Sequence, residues 1–99
     1  HALNIVGCKP PRIENGRLMF VFHDDGAHSV SVAGDFNRWS QTPLKRNGSG
    51  LWSTEIPAPR IGHLEYKFII NGHRWIEDPS NGMKVPDNYG GMNSVLVVN

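Results

Sequence analysis

The sequence predicts an all-β domain, a sandwich of two packed antiparallel sheets. Three observations lead to this fold class. Apolar and polar residues alternate with period two along several short runs, turns rich in Gly, Asn and Pro separate these runs, and no stretch combines helical periodicity with caps. The length of 99 residues suits one domain. We find no internal repeat and no interdomain linker.

The N-terminal residues are predicted to form a lead-in arm over residues 1–17, followed by the domain over residues 18–99. Pro10-Pro11 and Asn15-Gly16 are expected to interrupt any regular element in the arm. Cys8 is the single cysteine of the chain, so an intrachain disulfide is excluded. We interpret Cys8 as a small apolar residue in this arm.

The first half of the domain is predicted to hold three strands. Leu18 to His23 alternates apolar and polar residues, and Asp24-Asp25-Gly26 closes this strand with turn-forming residues. His28 to Ala33 alternates in the same way and forms the second strand. Residues 34–39 make a bend, and residues 42–46 form a short edge strand.

The second half begins with two strands and a hairpin. Leu51 to Ile56 is a strand in which Trp52 falls on the apolar face, so Trp52 is predicted to be structural. His63 to Ile70 shows the most regular alternation in the chain. Asn71-Gly72 is the preferred dipeptide of a two-residue type I′ hairpin, so residues 74–77 are expected to return antiparallel.

The last part of the chain is predicted to be a long loop and a final strand. Residues 78–91 are rich in Pro, Gly and Asn, which favours irregular structure. Asp78-Pro79 is expected to fix a turn at the start of this loop. Asn93 to Val98 forms the last strand.

Composition excludes several classes of function. The formal net charge is +1 and the longest basic cluster is Lys45-Arg46, whereas a nucleic-acid-binding domain needs a concentrated basic face. No apolar run approaches the ~18 residues that span a membrane. We therefore expect no nucleic-acid or membrane partner. The histidines lack metal-ligand spacing, so we expect no metal and no cofactor; they are His1, His23, His28, His63 and His73.

Two tryptophans fall where the chain turns and not within the core alternation. Trp39 ends the bend after the second strand, and Trp75 follows the Asn71-Gly72 turn. Flat, rigid aromatic side chains outside a core indicate a stacking surface. Sugars are the ligands most often bound in this way, so Trp39 and Trp75 are candidate sugar-binding residues.

The segment from Val30 to Trp39, with the sequence VSVAGDFNRW, resembles the V-x-G-x-F-N-x-W signature of the family-48 carbohydrate-binding modules. This family includes the glycogen-binding domain of the AMP-activated protein kinase β subunit and the N-terminal domains of branching enzymes, isoamylases and pullulanases. The similarity covers residues 18–98. It continues through Gly50-Leu51-Trp52, Tyr66-Lys67-Phe68, Asn71-Gly72-His73-Arg74-Trp75, Asp78-Pro79 and residues 93–98.

The resemblance implies an immunoglobulin-like sandwich of six to eight short strands that binds α-1,4-glucans and has no catalytic machinery. The ligand would be glycogen, starch or a maltooligosaccharide. By motif, Trp39 and Trp75 match the two stacking tryptophans, and Lys67 and Asn93 match residues that contact sugar hydroxyls. Tyr89 falls where the kinase-subunit branch has a leucine that contacts the glucan, and a tyrosine at this position could stack on the sugar instead. Gly91 falls where that branch has a threonine.

Each assignment has a structural alternative. Trp39 and Trp75 could cap the sheet, Lys67 could be a solvated strand residue, Asn93 could pin the final strand, and Tyr89 could pack inward. The whole domain could instead brace a catalytic domain of an α-amylase-superfamily enzyme, or contact a partner subunit as part of a kinase-type regulatory subunit. Bracing of a catalytic domain and contact with a partner subunit both predict little or no glucan binding.

Intrinsic catalysis is not expected. A glycosidase needs two carboxyl groups facing each other across a cleft. The candidate carboxyl groups are scattered along the sequence at Asp35, Glu55, Glu65, Glu77 and Asp78. Because the chain begins with His1 and not with Met, we expect an excised part of a larger protein. The lone cysteine and a glycogen-type ligand favour the cytoplasm.

Overall fold

The computed structural model describes residues 9–48, 50–60 and 62–98. This part of the chain folds into two packed antiparallel sheets, which confirms the predicted all-β sandwich. Its ten strands are β1 (Lys9–Glu14), β2 (Arg17–His23), β3 (Val30–Gly34), β4 (Thr42–Pro43), β5 (Lys45–Asn47), β6 (Leu51–Pro57), β7 (Gly62–Ile70), β8 (Arg74–Ile76), β9 (Lys84–Pro86) and β10 (Met92–Val98). A 3₁₀ turn covers Asp35–Asn37. Within these ranges, no helix has the length and apolar character needed to cross a bilayer.

The chain changes sheet at Leu44. One sheet has the order β1-β2-β6-β5, and the other has the order β4-β3-β7-β10-β9 with β8 also paired to β7. The buried Leu44 lies between β4 of the six-stranded sheet and β5 of the four-stranded sheet. Its backbone N–H donates to the carbonyl of Val30 at 2.8 Å. The predicted edge strand over 42–46 is therefore two short strands.

β7 is the strand around which the six-stranded sheet is built. Tyr66 is paired with a residue of β3 on one edge and with a residue of β10 on the other. Phe68 is paired with β3 and with β8. β10 and β8 therefore follow one another along the same edge of β7, opposite β3. Because side chains alternate along a strand, Glu65 and Lys67 lie on the outer face while Tyr66 and Phe68 enter the core.

An aromatic cluster fills the space between the sheets. The ring of Phe20 lies 5.3 Å from that of Tyr66 and 6.2 Å from that of Phe68, in edge-to-face arrangements. Trp52 joins this core with 6% of its surface exposed, and its Nε1–H donates to the carbonyl of Asp24 at 3.1 Å. The prediction that Trp52 is structural is confirmed.

β1 overturns the prediction that residues 1–17 contain no regular element. β1 pairs with β2, and a bulge between Lys9 and Arg12 accommodates the two prolines. Asn15 and Gly16 have φ values of 52° and 76° and join the two strands as a two-residue loop. The Asn-Gly dipeptide thus forms a hairpin and does not interrupt the structure. Cys8 lies outside the described residues, and the division into an arm over residues 1–17 and a domain over 18–99 stays a prediction.

Two other details differ from the sequence-based expectation. The loop predicted over residues 78–91 contains β9, which pairs with β10. The turn after β7 has positive φ at Asn71 and Gly72, as a type I′ turn requires, but the ladder resumes only at Arg74 opposite Ile70. The connection therefore has three residues and not two. β1, β9 and the division of the predicted 42–46 strand into β4 and β5 raise the number of strands in the described ranges to ten, above the predicted six to eight.

Candidate functional site

A groove of about 590 Å³ lies on the outer face of the six-stranded sheet. All five residues proposed from the sequence line it: Trp39, Lys67, Trp75, Tyr89 and Asn93. Five further residues complete the lining: Asp35, Glu65, Pro86, Asp87 and Asn88. The fold thus brings together side chains from β7, β8, β9 and β10 and from the two segments that follow β3 and β9.

Trp39 reaches the groove through a strained turn. Arg38 and Trp39 have φ values of 57° and 61°, in the left-handed region that non-glycine residues avoid. The backbone N–H of Trp39 donates to the carbonyl of Gly34 at 2.9 Å and closes the turn. Asn37 holds the turn from the other side, because its Oδ1 accepts the N–H of Gly34 at 2.9 Å. The indole Nε1–H of Trp39 donates to Asp35 Oδ1 at 3.1 Å.

Trp75 lies on β8, directly opposite Ile69 of β7. Its side chain is 44% exposed, so a large part of the indole surface faces solvent. The preceding turn is fixed by Asn71, whose Oδ1 accepts the backbone N–H of His28 at 2.7 Å. The turn before Trp75 is therefore held by a distant part of the chain, and pairing with β7 sets the backbone position of Trp75.

Lys67 and Asp87 form an ion pair at the floor of the groove. The Nζ of Lys67 donates to Asp87 Oδ2 at 2.5 Å, and the two side chains are only 17% and 7% exposed. The hydrogen bond from Lys67 and the bond from the backbone N–H of Tyr89 lower the pKa of Asp87 to about 2. Asp87 is therefore ionised throughout the ordinary pH range. Lys67 is bound to a carboxylate and is not the solvated strand residue of the structural alternative.

Tyr89 extends from a tight turn over residues 87–91. Its side chain is 93% exposed, so it does not pack inward. Asp87 Oδ1 accepts the backbone N–H of Tyr89 at 2.8 Å and that of Gly91 at 3.0 Å. Positive φ values at Asn88 and Gly90 complete the turn. The phenol ring projects from the rim of the groove, on the side formed by the loop after β9.

Asn93 is nearly buried, with 8% of its surface exposed. Its Nδ2 donates to Glu65 Oε1 at 2.9 Å, which ties β10 to β7. In the free chain the Asn93 amide therefore holds the last strand, as the structural alternative proposed. Its predicted contact with a ligand stays a prediction, and so do the ligand contacts of the other four residues.

Three carboxylates in the groove did not figure among the residues chosen from the sequence. Asp35 accepts the Trp39 indole N–H through one oxygen and the backbone N–H of Glu65 at 2.9 Å through the other. Glu65 accepts from Asn93, and Asp87 accepts from Lys67. Apart from Trp39, which lies four residues from Asp35, these partners are 20 to 30 positions away in the sequence. The available signals were the place of Asp35 four residues before Trp39 and the spacing of Glu65 two residues from Lys67, on the same strand face.

A buried hydrogen-bond network supports the sheet close to the groove. Asp78 is fully buried and accepts the hydroxyl of Tyr66 at 2.7 Å, while its backbone N–H donates to Ser94 Oγ at 2.8 Å. Asn81 Nδ2 donates to the Tyr66 oxygen at 3.0 Å. Burial, followed by the nearby Asp78 charge, raises the pKa of Tyr66 well above its usual range. Ser80 N–H donates to Asp78 Oδ1, so Asp78 forms the expected turn.

The groove combines apolar and polar surfaces. The rings of Trp39, Trp75 and Tyr89 are its aromatic surfaces, and the carboxylate, ammonium and amide groups lie among them. Such a combination can bind a ligand that has C–H faces and hydroxyl edges. Among residues 9–48, 50–60 and 62–98, no three His, Cys, Asp or Glu side chains are grouped so as to hold a metal ion.

Comparison with known proteins places the chain among carbohydrate-related sequences. Residues 17–99 match the family described as the glycogen recognition site of AMP-activated protein kinase. The chain is 49% identical over 83 residues to a 1,4-alpha-glucan branching enzyme of Marinobacter nauticus, covering 74% of this chain and 12% of that protein. It is 32% identical over 74 residues to 5'-AMP-activated protein kinase subunit beta-1 of Sus scrofa, covering 74% of this chain and 57% of the subunit.

A solved structure agrees at the level of the fold. A putative alpha amylase from Salmonella typhimurium superposes with a TM-score of 0.72 at 20% sequence identity. The match covers 91% of this chain and 15% of the amylase chain. The chain therefore spans only a fraction of the length of each relative.

Proposed function

The chain belongs to the family of glycogen recognition sites of AMP-activated protein kinase, and on that basis we propose that it is a noncatalytic module that binds α-1,4-glucans in the groove described above. The observation that carries this proposal is the convergence of Trp39, Lys67, Trp75, Tyr89 and Asn93 on one concave face. These residues were chosen from sequence motifs that are widely separated along the chain. Their clustering supports a common ligand.

The tryptophans would supply most of the binding energy. Covering one indole face removes about 80–100 Å² of apolar surface from water, which is worth about 2 kcal/mol at ~25 cal/mol per Å². Two platforms give roughly 4 kcal/mol, equivalent to a dissociation constant near ~1 mM. Tyr89 offers a third ring. Hydrogen bonds to the sugar hydroxyls would bring the dissociation constant toward tens of micromolar, roughly 2 kcal/mol tighter.

The polar groups would orient the sugar ring. An ammonium group has three donors, and Lys67 uses one of them on Asp87. The remaining donors are available for sugar hydroxyls, and Asn93 and Glu65 lie on the same face. Each of these groups already has a protein partner that fixes its direction, so little ordering is needed when a glucan binds.

Weak binding at one site suits a polymer ligand, because many equivalent sites on the polymer raise the apparent affinity. We propose that the module holds a larger protein on its polysaccharide and that catalysis, if the larger protein has any, resides outside this chain. That protein would be an α-glucan-active enzyme or a kinase-type regulatory subunit, and its catalytic domain or partner subunit would be a further partner of the module.

The proposal is tested by titrating the chain with maltoheptaose while recording tryptophan fluorescence and backbone and side-chain NMR shifts. We expect saturable shifts centred on Trp39, Lys67, Trp75 and Asn93, with a dissociation constant between about 10 μM and about 1 mM. Cellohexaose, a β-1,4-linked oligomer of the same sugar, is the control ligand and should give weaker shifts. If no shift appears at several millimolar maltoheptaose, the bracing-domain alternative replaces the proposal.

A further inference from the structure

We propose that Asp87 is a positioning residue for glucan binding, a single carboxylate that aligns the Lys67 ammonium and holds the turn carrying Tyr89. The inference rests on the proposed function and deepens it. Asp87 belongs to none of the motifs that identify the family resemblance, and it lines the groove with little exposed surface of its own.

Both oxygens of Asp87 are used, and they serve different parts of the groove. Oδ2 accepts from Lys67 Nζ, which belongs to β7. Oδ1 accepts from the backbone N–H groups of Tyr89 and Gly91, which belong to the loop after β9. The backbone N–H of Asp87 also donates to the carbonyl of Gly91 at 3.1 Å, which closes the turn. One side chain therefore connects the sheet floor to the loop at the rim.

The connection matters because the Tyr89 side chain itself makes little contact with the protein. A ring that is 93% exposed has no packing that would fix its position, so its place over the groove depends on the backbone of its turn. Without Asp87, the turn would lose the acceptor for two N–H groups, and Lys67 would lose the partner that directs its side chain. Both groups would then have to be ordered by the ligand, at a cost in affinity.

Gly91 provides the space that this arrangement needs. A Cβ atom on residue 91 would lie 2.8 Å from Asp87 Oδ2 and 3.6 Å from Lys67 Nζ. A side chain there would push the carboxylate away from the ammonium group. Gly91 is therefore matched to Asp87, because the carboxylate occupies the volume that a larger residue 91 would fill.

Three substitutions separate the two tasks of Asp87. Asp87→Asn keeps one oxygen for the N–H groups of the turn but cannot serve both the turn and Lys67. Asp87→Ala removes both tasks. Gly91→Ala keeps both charged groups but places a methyl group against the Asp87 carboxylate. Gly82→Ala is the matched control, since a Cβ at Gly82 meets no atom within 4 Å and Gly82 lies in the loop on the other side of β9.

The experiment measures maltoheptaose affinity, melting temperature and the amide exchange of residues 89 and 91 for each variant. We expect Asp87→Ala to bind about tenfold more weakly, Asp87→Asn and Gly91→Ala about three- to fivefold more weakly, and Gly82→Ala within twofold of the unchanged chain. Amide exchange at Tyr89 and Gly91 should accelerate in Asp87→Ala. In a Lys67→Met, Tyr89→Ala background, the further effect of Asp87→Ala should shrink to less than twofold.

Each outcome decides between defined alternatives. If the unchanged chain does not bind maltoheptaose, the proposed function fails and the role of Asp87 fails with it. If the unchanged chain binds but Asp87→Ala, Asp87→Asn and Gly91→Ala bind equally well, only the positioning role is overturned. The positioning role is also overturned if the loss in Asp87→Ala persists undiminished in the double-variant background, because Asp87 would then act without Lys67 or Tyr89.

Discussion

The carboxylate of Asp35 fixes the indole of Trp39 to the central strand of the sheet. One oxygen accepts the Trp39 Nε1–H at 3.1 Å, and the other accepts the backbone N–H of Glu65 at 2.9 Å. The N–H edge of the indole is therefore occupied by the protein. A ligand meets the aromatic faces of Trp39, and the ring has its orientation before the ligand arrives.

Removal of this contact should weaken glucan binding without unfolding the domain. In Asp35→Ala the indole can rotate, and ordering one side chain on binding costs about 0.5–1.5 kcal/mol, a loss of roughly 2- to 10-fold in affinity. Titration with maltoheptaose and the NMR order parameter of the Trp39 side chain measure the effect. Glu14→Ala, which breaks the exposed pair with Arg12 on β1, is the charge-matched control. An unchanged affinity in Asp35→Ala would remove Asp35 from the site.

Trp52 and Trp75 should respond to alanine substitution in opposite ways. Trp52 is buried in the core, so Trp52→Ala is expected to cost about 3–5 kcal/mol of unfolding free energy. Trp75 is 44% exposed, so Trp75→Ala should change the unfolding free energy little while weakening glucan binding at least tenfold. Trp39→Ala should behave as Trp75→Ala does. Urea unfolding and maltoheptaose titration of the three variants check this; a collapse of the fold in Trp75→Ala would make it a core residue.

Stability should decline at alkaline pH because of Tyr66. Burial and the neighbouring Asp78 raise its pKa in the folded state, whereas the unfolded chain releases this proton near its ordinary pKa of about 10. The stabilisation is complete below pH 10 and is lost progressively as the pH rises above it. Tyr66→Phe should flatten the fall in unfolding free energy between pH 9 and pH 11.

The same substitution should lower stability at neutral pH by about 1–3 kcal/mol, because the buried Asp78 loses a hydrogen-bond donor. Urea unfolding at a series of pH values measures both effects. The second tyrosine provides the control, since Tyr89→Phe also removes one phenol but does so at an exposed position. Equal alkaline slopes for Tyr66→Phe and the unchanged chain would contradict the assignment.

Acid should weaken the fold through Asp87. Its pKa is lowered to about 2 by Lys67 and the turn N–H groups, below the value of about 4 in an unfolded chain. A lowered pKa stabilises the folded state above pH 4, and this contribution is lost as the pH falls toward 2. The difference in unfolding free energy between the unchanged chain and Asp87→Asn should therefore shrink from pH 5 to pH 2. A constant difference over that range would show that the ionised carboxylate adds nothing to stability.

The sequence predicts the elements whose signals are local. β7 follows from strict alternation, and Trp52 follows from its place in the apolar phase of β6. β1 could not be predicted, because its prolines mark an interruption unless the bulge opposite β2 is known. β9 has only three residues, too few to show a period, and it exists through its pairing with β10. Pairing between distant segments is information that a single sequence does not display.

The candidate site also combines residues that local signals predict with contacts that depend on distant segments. Trp39 and Trp75 could be selected as exposed aromatics, and the resemblance added Lys67, Asn93 and Tyr89. The hydrogen bonds that direct these side chains join residues 20 and 28 positions apart, as in Lys67–Asp87 and Asn93–Glu65. They depend on the register of β7 with its neighbours and on the turn that returns Asp87 to the sheet. Neither the strand register nor the path of this turn can be predicted from the local alternation of residues.

The chain crosses between sheets at Leu44, which joins the two sheets along one side and leaves the opposite side bounded by β1 and β9. Both of these strands carry proline, which cannot donate to a further strand: Pro10 and Pro11 in β1 and Pro86 in β9. A polysaccharide with many equivalent binding sites would bind many copies of the module, which would then lie close together. Because proline interrupts the edges of β1 and β9, neighbouring copies would not pair through these strands. Each copy would then bind the polymer separately and reversibly.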